Sequence, residues 1–224
     1  MPGHLSKASS LCLLLAMASC AGTSTERPRI NSVPVVDCCR AASSDAQHDA
    51  IVHTAVKLVG ARTIESGGRR IAYDCAGVTR AVYLAHGIDL YDGVHQNSQA
   101  NGVRLIFDHV RAHGRIHRGP VVQAGDLIFF DNTWDADGDG VDNDPLTHVG
   151  VVEKVESDGT IVFISRVSEA IERYRMNLAY PQTHRHADGR ILNDYMRRKR
   201  WSDQKDTRYL TGELFAAFGT RLSS

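Results

Sequence analysis

The apolar residues of this chain follow a helical period in its first half and a strand period in its second half. Spacings of three and four residues predict amphipathic helices, and short apolar runs bounded by turn residues predict strands. Helices followed by strands indicate an α+β fold, with N-terminal helices packed on a central antiparallel β-sheet. The predicted helices cover residues 44–60, 75–87 and 98–112. The predicted strands cover residues 126–130, 148–155, 160–165 and 170–177.

The charge of the chain is balanced, with 26 Lys and Arg against 26 Asp and Glu in 224 residues. This balance argues against a nucleic-acid partner, which would require a basic surface. The hydrophobic fraction of 42% is that of an ordinary globular protein.

The first twenty residues have the features of an export signal. An apolar run, Leu11–Ala18, is too short to span a bilayer, which is typical of a secretory signal covering residues 1–19. The segment Met17-Ala18-Ser19-Cys20 resembles a bacterial lipobox, so we expect lipidation at Cys20. The protein would then face the bacterial cell envelope, on its periplasmic or cell-surface side, anchored to a membrane by lipid. The alternative is a plain signal peptide with a chance cysteine.

Three further segments complete the predicted organisation. Residues 20–44 are rich in Ser, Thr and Pro and are interpreted as a flexible tether. It contains Cys38 and Cys39, for which we expect no catalytic role. Residues 45–180 form the predicted catalytic domain. Residues 181–224 form a C-terminal extension that packs on it, with a helix around Gly212–Phe218.

Cys75 is the strongest candidate for chemistry. It lies where a loop turns into a predicted helix. Unpaired N–H groups and the helix dipole at that end favour a thiolate, and the same N–H groups could stabilise an oxyanion. The alternative is a buried, inert cysteine.

His148 is the candidate partner of Cys75. It opens the apolar strand HVGVV directly after a polar loop. From there an imidazole could accept the thiol proton and later donate it to a leaving amine. The alternative is a solvated residue at the start of a strand.

Three motifs in this order resemble the NlpC/P60 and CHAP cysteine peptidases. They are Asp74-Cys75-Ala76-Gly77, Gly125–Phe130 and His148–Val152. Those papain-like enzymes cut peptide or amide bonds of bacterial cell walls. The resemblance implies that Cys75 is the nucleophile, that His148 is the general base and that peptidoglycan is the substrate. It implies no required cofactor.

Two positions depart from the pattern of that family. Its third catalytic residue is polar, often His, and the residue here nearest that place is Ser165. Either Ser165 or a backbone carbonyl would orient the imidazole, or Ser165 is only a strand-end residue. Ala76 replaces a common Ser, although Asp74 is kept for binding a substrate amine. Tyr73 either lines the same cleft or is a packing residue.

An acidic loop precedes His148. Asp135, Asp137 and Asp139 alternate with glycines and small residues, as at the start of a calcium loop. Because Leu146 stands where an EF-hand has its bidentate Glu, we expect at most a looser calcium site. The alternative is a solvated acidic hairpin.

A histidine cluster and a basic run are predicted to have no functional role. His109, His113 and His117 have helical spacing, but Gly114 should end the helix, so we do not expect zinc. Arg197–Arg200 is interpreted as a solvated surface patch.

The sequence therefore predicts a cell-wall hydrolase that cleaves an amide bond in peptidoglycan peptides by a Cys–His thiol mechanism. The alternative is a non-catalytic wall-binding or scaffolding lipoprotein with a degenerate site. Acyl transfer by the same chemistry is a third possibility. A lowered pKa of the Cys75 thiol would favour the enzyme, and a sluggish thiol would favour the scaffold.

Overall fold

The structure is a computed structural model that describes residues 35–66, 68–93, 101–201 and 203–222. Side chains are described from Ser44 onward, apart from Arg69 and the gaps between these ranges. The predicted signal segment and Cys20 lie outside the described residues. Within the described ranges, no helix is long and apolar enough to cross a membrane. The contacts separate Met1–Val35 from a second unit, Val36–Ser224, whose fold follows.

Four helices form in the described residues. They are α1 Val35–Leu58, α2 Cys75–Leu84, α3 Gly102–His113 and α4 Thr211–Leu214. Helix α1 begins well before the predicted start at Ser44, so the prediction of a flexible tether is wrong for residues 35–44. No Gly or Pro interrupts the sequence between Pro34 and Gly60, and nothing local ends a helix there.

Helix α2 begins at Cys75, as predicted, and ends at Leu84, before the predicted stop at Gly87. Asp74 is the N-cap, and its Oδ1 accepts a hydrogen bond from the Gly77 N–H at 2.7 Å. Helix α3 is capped by Asn101 and ends at His113, before Gly114. Its predicted first residues, 98–100, lie outside the described residues.

The strands form one short hairpin and one large sheet. The hairpin pairs β1 Glu65–Ser66 with β2 Arg69–Arg70. The six-stranded sheet has the order β3-β8-β4-β5-β6-β7 and is antiparallel throughout. The expected α+β class with a central antiparallel sheet is confirmed. The strands of the sheet are β3 Arg115–His117, β4 Leu127–Phe130, β5 His148–Val155, β6 Ile161–Arg166, β7 Ile171–Met176 and β8 Phe215–Thr220.

The C-terminal segment departs from prediction. Instead of a helix around Gly212–Phe218, only Thr211–Leu214 is helical, and β8 then enters the sheet between β3 and β4. The separation of residues 181–224 from the preceding domain is therefore wrong, because β8 completes the central sheet. A short run such as Phe215–Thr220 has no decisive period, and its pairing with β4 is non-local.

Both faces of the sheet are buried. On β4, Leu127 and Phe129 pack with α1, α2 and α3, whereas Ile128 and Phe130 pack on the opposite face. Met196 and Leu214 help cover that second face. Burial on both sides explains why this strand is apolar at every position.

Candidate active site

Cys75 is the first residue of α2, which packs against β5. Its sulfur lies beside the backbone N–H groups of Val149, Ala76 and Cys75 itself. Val149 directly follows His148, so the structure brings the two predicted residues to the same α2–β5 interface. The N–H groups of Cys75 and Ala76 belong to the first turn of a helix, where the helix itself supplies no acceptor.

His148 is the first residue of β5 and is only 6% exposed. Its Nε2 lies 2.8 Å from the hydroxyl oxygen of Ser165 on β6. That hydroxyl donates its own proton to the Val149 carbonyl at 2.6 Å. Ser165 therefore accepts from the Nε2–H of His148, which assigns Nδ1 as the basic ring nitrogen. The predicted Ser165–His148 contact is present, and its catalytic role stays a prediction.

Burial keeps both groups of the pair uncharged. It raises the pKa of the Cys75 thiol to about 11, against the opposing effect of the Val149 N–H. Burial also lowers the pKa of His148 to about 3, and the charge of Arg166 acts in the same direction. At neutral pH the pair is thus a thiol and a neutral imidazole. Desolvation therefore opposes the expected stabilisation of a thiolate by the helix terminus, and the thiolate stays a prediction.

We expect alkylation of Cys75 by iodoacetamide to accelerate continuously as the pH is raised from about 6 to about 10. Because the thiol pKa is about 11, each pH unit should raise the thiolate fraction about tenfold. The measurement is modification of the peptide containing Cys75, with glutathione as the reference thiol. A plateau below neutral pH would contradict the assignment of a neutral pair.

Tyr73 and Asp74 already have structural contacts. The Tyr73 hydroxyl donates to the Ala61 carbonyl at 2.5 Å, and the Arg166 guanidinium lies 4.9 Å from the Tyr73 ring centroid. Asp74 caps α2 through Oδ1 while its side chain stays exposed. Their substrate-binding roles stay predictions.

Arg166, which follows Ser165 on β6, is a residue of the site that was not predicted. Its Nε is buried and has no hydrogen-bond partner among the described residues. Its charge disfavours the imidazolium form of His148. No sequence pattern marks this residue, since its nearness to His148 depends on the β5–β6 register.

A second missed feature is a cavity of about 370 Å³ beside the first turn of α2. Arg80 and Tyr91 line it, together with Gly77. Arg80 forms a bidentate pair with Asp89, with both N–O distances 2.7 Å. It also stacks 4.3 Å from the ring centroid of Tyr91. Burial raises the pKa of Tyr91, and the charge of Asp74 acts in the same direction. This polar cavity lies beside the first turn of α2, and Cys75 is not among its lining residues.

The carboxylates of the acidic loop do not converge as predicted. The group whose oxygens lie within 4.8 Å of one another is Asp135, Asp137 and Asp144. Asp139 lies outside this group, and its oxygens accept hydrogen bonds from the Val141 N–H and the Asn143 side chain. The sequence pattern therefore identified two of the three residues.

The histidine cluster, the basic run and the adjacent cysteines lie in different elements of the fold. His109 and His113 stack on α3 with ring centroids 4.7 Å apart, and His117 lies on β3. Arg197 is buried and pairs with Asp142 at 2.6 Å, so its description as part of a solvated patch is wrong. Cys38 and Cys39 lie in α1, but their side chains are outside the described residues.

Under the hydrolase hypothesis of the motif resemblance, Ser165→Ala should lower kcat/KM for peptide hydrolysis by about 10- to 100-fold. The change removes one neutral hydrogen bond and leaves the buried Nε2–H of His148 unpaired, which costs about 1–3 kcal/mol. The matched control is Ser168→Ala at an exposed position. Equal activity of the two variants would remove the orienting role from Ser165.

No family model and no curated protein matches this sequence. A similar solved structure is the crystal structure of the NlpC/p60 domain of the peptidoglycan hydrolase SagA. The two chains share 23% sequence identity over 56% of this chain and 86% of that chain, with a TM-score of 0.33.

Proposed function

We propose that this chain is a bacterial cell-wall hydrolase that cleaves an amide bond in peptidoglycan peptides, with Cys75 as nucleophile. The observation that carries the proposal is the arrangement at the α2–β5 interface. The Cys75 thiol lies near the Val149 N–H, which lowers its pKa, and the adjacent His148 is hydrogen-bonded to Ser165. The resemblance of the three motifs to wall-cutting cysteine peptidases supports peptidoglycan as the substrate.

In the first half of the reaction the Cys75 sulfur attacks the amide carbon as its proton passes to Nδ1 of His148. A neutral thiol and a neutral imidazole suit this concerted transfer, because the base is free to accept a proton. The N–H groups of Cys75 and Ala76 are the candidate donors to the oxyanion. The imidazolium then protonates the leaving amine, the C–N bond breaks, and a thioester remains on Cys75.

In the second half a water molecule attacks the thioester. Nδ1 of His148 takes its proton and returns one to the departing sulfur, so that acid and free thiol are restored. Every proton is moved by the same imidazole, and no cofactor is required. If a nucleophile other than water entered at this step, the product would be that of acyl transfer.

Arg166 and the cavity containing Tyr91 are candidate contacts for the substrate. The positive charge of Arg166 opposes imidazolium formation at His148. A substrate carboxylate beside Arg166 would offset that charge. Asp74 and Tyr73 would lie at the same mouth of the site, where Asp74 could bind a substrate amine.

The proposed location is the bacterial cell envelope, where peptidoglycan is found. A lipid on Cys20 would anchor the protein to a membrane on the periplasmic or cell-surface side. The lipobox-like sequence Met17-Ala18-Ser19-Cys20 supports this anchor.

The second candidate function is a wall-binding or scaffolding lipoprotein without activity. The observation in its favour is the raised pKa of Cys75, about 11, because such a thiol is a poor nucleophile until its proton is removed. The retained His148–Ser165 contact favours the enzyme, since an inert site has no use for an oriented base.

The test incubates the purified chain and its Cys75→Ala variant with purified peptidoglycan. Mass spectrometry then measures the masses of the released fragments. Fragments from the wild type alone would support the hydrolase, and their masses would name the bond. Peptidoglycan bound but uncut by both proteins would support the scaffold.

A further inference from the structure

We propose that the loop joining β4 to β5 binds one calcium ion through the carboxylates of Asp135, Asp137 and Asp144. One oxygen from each lies within 4.8 Å of the other two. Because calcium–oxygen distances are about 2.3–2.6 Å, oxygens on one ion are separated by at most about 5 Å. The three carboxylates are therefore spaced for a single ion.

Asp144 supplies an independent indication of a ligand. Its residue is only 6% exposed, and its Oδ2 is buried without a hydrogen-bond partner among the described residues. A buried ionised carboxylate is costly unless another group compensates it. A cation held between Asp144, Asp135 and Asp137 supplies that missing contact.

The net charge of the loop is compatible with a bound cation. Residues 131–147 contain six Asp and no Lys or Arg. Arg197 reaches this loop from the C-terminal segment, but it pairs with Asp142 at 2.6 Å and donates to the Asn132 carbonyl at 3.0 Å. Its charge is thus directed to Asp142 and not to the three converging carboxylates.

The backbone of the loop leaves these carboxylates able to bind metal. The oxygens of Asp135 accept from the N–H groups of Gly138 at 2.8 Å and Gly140 at 3.2 Å. Each carboxylate oxygen has a second lone pair, so these bonds shape the loop without exhausting its ligand capacity. Asp139 has both oxygens in hydrogen bonds within the loop and lies outside the converging group.

Three protein carboxylates favour calcium over magnesium. Magnesium usually keeps several waters and takes one or two carboxylates, whereas calcium accepts six to eight oxygens in flexible geometry. The ion would link the loop tip at Asp135 and Asp137 to its base at Asp144. At that base the Asp144 N–H donates to Oδ1 of Asn132, two residues after the end of β4, at 2.6 Å. From Asp144 the chain continues through Thr147 into His148.

The experiment titrates the chelator-treated full chain with calcium chloride by calorimetry and follows its Tm. We expect a saturable single site and a rise in Tm of roughly 5–10 °C when free calcium exceeds Kd about 100-fold. Terbium bound in place of calcium provides a second probe. Trp134 directly precedes Asp135 and can sensitise the luminescence of the bound terbium.

Three variants test the ligand set. Asp144→Asn and the exposed Asp137→Asn should each weaken calcium binding at least about tenfold. Asp139→Asn removes the same charge and should change the affinity less than about threefold. Circular dichroism checks that each variant folds. If Asp144→Asn does not fold, Asp137→Asn still tests the ligand set, because Asp137 is exposed.

Three results would overturn the proposal. The first is a wild-type chain without calcium-dependent heat or Tm change. The second is an equal loss of affinity in Asp139→Asn and Asp137→Asn, which would indicate only general attraction to an acidic loop. The third is magnesium binding as tight as that of calcium. None of these readouts depends on hydrolysis, so the metal site and the proposed enzyme are tested separately.

Discussion

His148→Gln should lower kcat for peptide hydrolysis by about 10²- to 10⁴-fold, which is the usual contribution of a positioned general base. The amide of Gln can still donate to Ser165 but cannot accept the thiol proton of Cys75. The loss should be at least this large because the thiol pKa is about 11, so almost no thiolate forms at neutral pH without a base.

The control for this change is His53→Gln, at an exposed position of α1. It makes the same substitution far from the α2–β5 interface and should keep wild-type activity. Circular dichroism and Tm would show that both variants are folded. A His148→Gln protein that is folded and as active as His53→Gln would mean that His148 is not the base.

Gly77→Ala should destabilise the protein by about 2–3 kcal/mol and lower its Tm by about 5–10 °C. A Cβ at this position would lie 1.9 Å from the carbonyl oxygen of Ala72, which is backbone and cannot rotate away. Helix propensity alone predicts the opposite, since Ala is favoured over Gly inside a helix. The clash should also displace the segment that carries Asp74 and Cys75, so hydrolysis should fall with stability.

Gly119→Ala is the matched control for this substitution. No atom lies within 4 Å of a Cβ at Gly119, and we expect its Tm to stay within about 2 °C of the wild type. Thermal unfolding of the two variants is the measurement. A Gly77→Ala protein as stable as Gly119→Ala would show that the close approach of α2 to Ala72 is not present in solution.

The parts of the fold that could be predicted from the sequence are those with local determinants. Helix α2 begins at Cys75 because Asp74 caps it and apolar residues recur on one face. Strand β5 covers the predicted residues His148–Val155. In both cases the apolar period and the flanking turn residues suffice to predict the element, without knowledge of its distant neighbours.

The parts that could not be predicted depend on residues brought together by the fold. The sequence predicts a helix where strand β8 forms. The place of β8 between β3 and β4 is set by non-local pairing, which local sequence patterns do not reveal. Asp144 lies far along the loop from Asp135 and joins it only when the chain folds back. The raised pKa of Cys75 likewise follows from burial, which the position of a cysteine at a helix start does not reveal.

The proposed mechanism requires Cys75 to form a covalent acyl intermediate. The direct measurement mixes the chain with soluble peptidoglycan peptides, quenches with acid within one turnover and records the intact protein mass. We predict a mass increase equal to the acyl part of the peptide, located on the fragment containing Cys75 and absent from Cys75→Ala. Product released equally by both proteins, with no adduct on the wild type, would contradict the central claim.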